Sequence, residues 1–201
     1  WQGMLMSAGF APTDAIVYHG FITGEGGIKM SKSIGNVINP AEIVAEYGTD
    51  ALRYFLLREI SPFEDSPFTM ERFKEAYNAG LANGLGNLAS RILTMAENYN
   101  VPLVMQEKDI LKITNFNVKE YMDEIWDKIS SADRKIQEKE PFKLFKTNQE
   151  EAKTIVSELL AELHEIARAL VPVLPETAEK ILELSGNSKK PSASLFARKD
   201  A

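Results

Sequence analysis

Between Gly20 and Pro40 the chain reads GFITGEGGIKMSKSIGNVINP. Lys29 and Lys32 stand in it with Met30 and Ser31 between them, Gly24, Gly26 and Gly27 ahead of them and Gly35 behind. Glycines on both sides leave the backbone many conformations. A lysine is a compact cation with rotatable donors on a long stem. Two of them on a movable loop can be brought onto phosphate and withdrawn again. Charge building on a departing pyrophosphate is best met by cations placed at the moment of reaction. A loop that arrives late does this without over-stabilising the bound triphosphate. A bare K-x-x-K beside glycines equally suits a surface turn with solvated lysines, and both readings stand at this point.

A second set of residues lies in NAGLANGLGNLASRIL, Asn78 to Leu93. The surrounding pattern is helical from Met70 to about Asn98. Yet Gly80, Gly84 and Gly86 fall inside it, each costing about 1 kcal/mol against Ala. Asn78, Asn83 and Asn87 favour caps and turns over helix middles. A helix carries such residues where a backbone must approach closely or where polar side chains have a task. Asn87 and Arg91 are one turn apart and share a face. Asn offers paired donor and acceptor groups to a base edge, and Arg offers a planar fork that also stacks. Hydrogen bonding between helices would use the same residue types.

These candidates need elements to hold them. Ala15–Thr23 is rich in β-branched and aromatic residues and is expected to be a strand carrying His19 and Ile22. Pro40 opens a helix over Ala41–Tyr47 that Gly48 ends, and Thr49 is expected to N-cap a second helix over Asp50–Arg58. Ser61–Thr69 holds prolines and acids and reads as a connector. The domain boundary is placed there, giving 1–60 and 61–201. Thr69 N-caps the long helix, a loop spans 99–115, and a helix over Val118–Gln137 carries a single apolar stripe. Pro141 breaks it. Helices follow over Asn148–Val171 and from Pro175 to Gly186, and the polar tail is expected to lie loosely. The second part is thus a bundle of amphipathic helices with short connections. Trp126 falls on an apolar stripe and reads as core, and His164 reads as surface.

With 201 residues, 44% hydrophobic and 26% charged, the chain is globular in composition. A formal charge of −6 argues against a nucleic-acid surface spread over the whole molecule but leaves room for a local patch. No cysteine is present, which excludes disulfides and cysteine-ligated zinc and fits a cytoplasmic protein. No apolar run is long enough to span a membrane. The first residues, Trp1-Gln2-Gly3, lack an initiator Met and a signal peptide, so the expectation is a piece cut from a longer protein.

The string KMSKS followed by Gly35-Asn36-Val37 and Pro40 resembles the signature loop of the class I aminoacyl-tRNA synthetases. AEIVAEYGTDALRYFLLREISPFEDSPFTMERF and the NAGLANGLGNLASRIL segment narrow the resemblance to the methionyl-tRNA synthetases, over roughly residues 1–185. This implies a mainly α chain: a strand and loop remnant of a Rossmann-type catalytic domain with a stem-contacting segment, then an anticodon-binding helical bundle. It implies ATP with Mg2+ as substrate, and methionine and tRNA(Met) as partners. Lys29 and Lys32 would help the ATP α-phosphate react with a carboxylate. Met30, Ser31 and Ser33 would share the ATP loop, and His19 and Ile22 would line the adenosine site. His19 alone is equally a packed strand histidine. Asn87 and Arg91 would read the anticodon, CAU. Phe142, after Pro141, stands where the family usually has a Trp that stacks on an anticodon base. A core position for Phe142 is the other reading.

The family's other ATP motif, of the HxGH type, has no match among His19 and His164, the two histidines. The expectation is that this portion alone forms no methionyl adenylate, which ATP–pyrophosphate exchange measures. The tail SASLFARKD resembles the family's LFPR-type bundle ending, with Ala197 for Pro. Other readings are a general tRNA-binding helical module, a fragment of another class I synthetase, or a structural bundle.

Overall fold

Asparagine side chains set where the helices start. In the computed structural model, which describes residues 1–105 and 111–199, Asn39 Oδ1 accepts from the Ala41 N–H at the start of α2 (Pro40–Tyr47). Asn117 caps α6 (Val118–Lys139) through the Glu120 N–H and donates back to the Glu120 carboxylate. Asn148 repeats the arrangement with Glu151 at α8 (Gln149–Leu170). Each pair satisfies donors that a helix start leaves open. α1 (Gln2–Ser7) precedes these helices and buries nothing.

Gly48 ends α2 and precedes α3 (Thr49–Tyr54), with a φ of 88° that glycine adopts freely. The expected Thr49 cap is therefore corrected: Gly48 holds that position and Thr49 is already helical, without a side-chain cap bond. α3 gives way at Phe55 to a π-helical turn, Phe55–Glu59. The long helix expected from Met70 is continuous in space but built of three parts. These are α4 (Met70–Ala76), a π-helical stretch Tyr77–Gly86, and α5 (Asn87–Tyr99). The three glycines, Asn78 and Asn83 fall in the π-helical part, where helical bonding is looser and backbone can come close, and Asn87 opens α5. Gly80 shows the reason: a Cβ there would lie 1.9 Å from the Tyr54 hydroxyl.

α5 and α6 run in the same direction. Gly80 O accepts from Trp126 Nε1 at 3.4 Å, Arg91 meets Asp133, and Tyr99 stacks on Phe145 with ring centroids 3.7 Å apart. Parallel neighbours require a long connection between them, and 18 residues, 100–117, separate Tyr99 from Val118. The short connections expected throughout the bundle are corrected here; residues 106–110 of the expected loop lie outside the described residues. α7 (Pro141–Leu144) follows α6. α8 runs back against α6, with Lys135 paired to Glu158 and Glu162 and Tyr121 Oη donating to Ala169 O. α9 (Pro175–Gly186) closes the bundle. One core holds Leu85, Ile92, Met122, Ile125, Leu159 and Ile181, and Trp126 is buried in it as expected.

The expected strand over Ala15–Thr23 is reduced to β1 (Ile22–Thr23). It pairs in parallel with β2 (Ser66–Pro67), within the expected connector, with Ile22 opposite Ser66. Ile16, Val17, Tyr18 and Phe21 are exposed. Their residue types favour a pleated, half-buried surface, and nothing among the described residues covers them. The tail departs from expectation in the opposite sense. Phe196 is buried against Tyr77, whose hydroxyl donates to Ala197 O at 2.9 Å. The Asn78 carboxamide binds the backbone of Lys199 through both its groups, at 2.7 and 3.0 Å. His164 is likewise half-buried, not on the surface, with Nδ1 2.8 Å from Ser185 Oγ.

Candidate functional site

The loop between β1 and α2 is pinned by Asn36. Its Oδ1 accepts from the Ser31 N–H at 2.8 Å and its Nδ2 donates to Lys29 O at 3.3 Å. Gly24 N–H binds Ile28 O at 2.7 Å, and a Cβ at Gly24 would crowd the Asn36 carboxamide at 3.2 Å. One carboxamide thus holds both ends of the Lys29–Ser31 stretch. Ser31 and Ser33 hydroxyls lie 2.6 Å apart, and Met30 is half-buried against the core. The Lys29 and Lys32 side chains are exposed. Neither enters an ion pair among the described residues. Two ammonium groups without carboxylate partners on one short loop suit a polyanion such as a nucleotide triphosphate.

His19 and Ile22 flank that loop on the β1 side. His19 is exposed, its Nδ1 2.9 Å from Gly20 O, and Ile22 is partly exposed. A packed strand histidine is not what is found. Gly20 is fixed by necessity, since a Cβ would lie 2.1 Å from Glu64 O. The Asp65 carboxylate accepts from the Phe21 N–H at 2.7 Å. The connector thus clamps β1 and, through it, the root of the lysine loop.

At the other candidate, Asn87 and Arg91 share a face of α5. Asn87 is exposed and its carboxamide makes no hydrogen bond among the described residues. Arg91 Nη1 lies 2.5 Å from Asp133 Oδ1 on α6, with both side chains about one-third exposed, at 33% and 34%. A pair this open to solvent is worth up to ~1 kcal/mol. Phe142, on α7, is 44% exposed with the Lys143 ammonium 6.0 Å from its ring centroid. It is not a core residue; its neighbour Phe145 takes the packed place against Tyr99. The loop and Arg91 are well separated, because Tyr77, which touches Tyr47 of α2, is linked to Arg91 by continuous helix. At ~1.5 Å per residue that is roughly 20 Å.

Sequence reasoning missed Asn36 as the loop staple, Asp65 as the β1 clamp and Asp133 as the partner of Arg91. The Asp133–Gln137 spacing on one face of α6 was the available signal for the last. It missed a cleft between the two π-helical stretches as well, lined by Tyr54, Arg58, Glu59, Arg72, Glu75 and Trp126 among others. Arg58 lies over the Trp126 ring at 5.2 Å there. Two arginines and two glutamates balance the charge of this cleft, so it exerts no net pull on phosphate. Burial raises the Tyr54 hydroxyl far above its ordinary pKa. Among the described residues no cluster of His, Asp or Glu could hold a metal ion, and no helix is long and apolar enough to cross a membrane.

The family model described as tRNA synthetases class I (M) matches residues 1–93, the stretch that holds the lysine loop, β1 and β2, and α2 to α4. Among individual proteins, the methionine–tRNA ligase of Clostridium acetobutylicum is 36% identical over 90% of this chain and 31% of its own length. That of Caldanaerobacter subterraneus is 37% identical over 92% of this chain and 32% of its own. The structure of Mycobacterium tuberculosis methionyl-tRNA synthetase in complex with methionyl-adenylate superimposes with a TM-score of 0.77 at 29% identity, over 91% of this chain and 40% of that one. The chain spans about a third of the length of the curated relatives it matches.

Proposed function

We propose that this chain is the portion of a methionyl-tRNA synthetase that supplies the lysine loop and reads the anticodon. The whole protein would join methionine to tRNA(Met) at the expense of ATP with Mg2+, in the cytoplasm. Residues 1–60 would be the end of the catalytic domain with the stem-contacting segment, and 61–201 the anticodon-binding bundle. β2 lies just beyond that division and returns to β1, so the connector serves both parts. In this reading Lys29 and Lys32 meet the phosphates as negative charge moves onto the departing pyrophosphate. Met30, Ser31 and Ser33 shape the loop, and His19 and Ile22 border the adenosine. Asn87, Arg91 and Phe142 meet the anticodon.

The observation that carries the reading is the pair of ammonium groups without ion-pair partners among the described residues, on a loop stapled by Asn36, in a chain so similar to methionine–tRNA ligases. The experiment is equilibrium binding of the chain to an anticodon stem-loop bearing CAU, against the same stem-loop with its C replaced, at fixed salt. A clear preference for CAU is expected. Equal binding would replace anticodon reading with a general RNA-binding role for the bundle.

A further inference from the structure

Both oxygens of the Asp133 carboxylate are occupied. Oδ1 accepts from the Arg91 guanidinium and Oδ2 from the Gln137 carboxamide, each at 2.5 Å. The three side chains come from two parallel helices and stand at the surface. A guanidinium free of any partner attracts every phosphate in reach, and that attraction carries no sequence information. The same guanidinium against a carboxylate is locally neutral and fixed in orientation, yet keeps N–H donors that point elsewhere. Such a group favours a partner whose acceptors sit at defined positions, as on an unstacked base, over a phosphate. The energy of the pair does not explain its presence, because an ion pair this exposed adds little to stability.

We propose that Asp133 is a specificity-setting positioning residue: by neutralising and orienting Arg91, with Gln137 bracing the carboxylate, it makes this face read unpaired RNA bases and suppresses binding through phosphate alone. The inference rests on the proposed reading that Arg91 faces RNA.

The test compares the unaltered chain with Asp133→Asn, Asp133→Glu and the double variant Asp133→Asn with Arg91→Ala. Each is titrated with the CAU stem-loop, the C-replaced stem-loop and an unstructured oligouridine at several salt concentrations, and each is melted. Asp133→Asn should bind oligouridine and the C-replaced stem-loop severalfold more tightly. Its plot of log affinity against log salt should steepen by about 0.7, one more phosphate contact on a single strand. Its preference for CAU should fall about tenfold. Asp133→Glu should keep the shallow slope, and removing Arg91 should cancel the gain. Gln137→Ala should move the same readouts in the same direction by less, which keeps the test open if Asp133→Asn melts early. An unchanged slope on oligouridine, or a uniform weakening on all three RNAs, would overturn the inference. If the unaltered chain shows no CAU preference, the anticodon reading fails on its own, while the oligouridine slope still decides the role of Asp133.

Discussion

Residues 1–37 and residues 40–199 are built on opposite terms. In the first stretch Thr23 and Gly24 are the buried positions, and Trp1, Phe10, Tyr18 and Ile34 stand in solvent. Hydrogen bonds from a few carboxamides, carboxylates and backbone groups hold it, with no apolar core of its own. The second stretch closes around one continuous core from Ile43 to Phe196. The lysines that the proposed chemistry needs sit on the first, and Asn87 and Arg91 sit on the second. On the proposed reading, the groups that arrive during the reaction lie on backbone held by few contacts. On the same reading, the groups that discriminate lie on a helix whose inner face is locked.

Truncation should expose that contrast most strongly. Leu85→Ala, at a fully buried site, should cost about 3 kcal/mol, whereas Ile34→Ala, 65% exposed, should stay within about 0.5 kcal/mol. Urea unfolding of both variants checks this, and comparable losses would end the distinction. Next in size is the chemical counterpart. In the full-length protein Lys32→Ala should slow adenylate formation about a hundredfold with little change in ATP affinity and none in the unfolding midpoint. A weakened ATP affinity at unchanged rate would move Lys32 from the transition state to the ground state. Within the body, Phe196→Ala should cost about 2 kcal/mol, and Asn78→Ala about 1 kcal/mol. A tail that protease trims without lowering the melting midpoint would show that its docking contributes nothing.

The smallest effect concerns pH. Burial, with Arg168 adding to it, lowers the His164 pKa from 6.5. The folded state then binds protons less readily than the unfolded chain, so this contribution is full above about pH 6.5 and is lost as pH falls below it through the lowered folded-state value. His164→Gln, which can still bond Ser185, should flatten the melting midpoint between pH 7 and pH 5. An unaltered pH profile would remove His164 from the account.

The helices were legible where side chains alone determine them. The apolar stripes and Pro175 are local signals, and α6, α8 and α9 lie close to where those signals put them. The strand over Ala15–Thr23 was over-read because β-branched and aromatic residues report a pleated surface in need of cover, and here only Ile22 and Thr23 find a strand partner and only Thr23 is buried. The tail was under-read because its docking uses the backbone of Ala197 and Lys199, and a backbone has no residue type to recognise. The parallel course of α5 and α6 has no periodicity of its own; the long interval between them was its one trace. At the lysine loop the residue string was plain, but the stapling role of Asn36 needed coordinates. Arg91 was visible, and Asp133, distant in sequence, was not.

Asp50 on α3 is 4% exposed, and its Oδ2 accepts from the Thr177 N–H in the first turn of α9. Arg53 binds Val173 O and Pro172 O just before that turn. Together with the Tyr77 and Asn78 bonds to Ala197 and Lys199, these join early helices to residues far along the chain. On a ribosome α3 emerges long before α9 and waits with its carboxylate unanswered. Closure of these early helices therefore waits for α9, and a chain stopped before Pro172 leaves α3 without the groups that Asp50 and Arg53 bind.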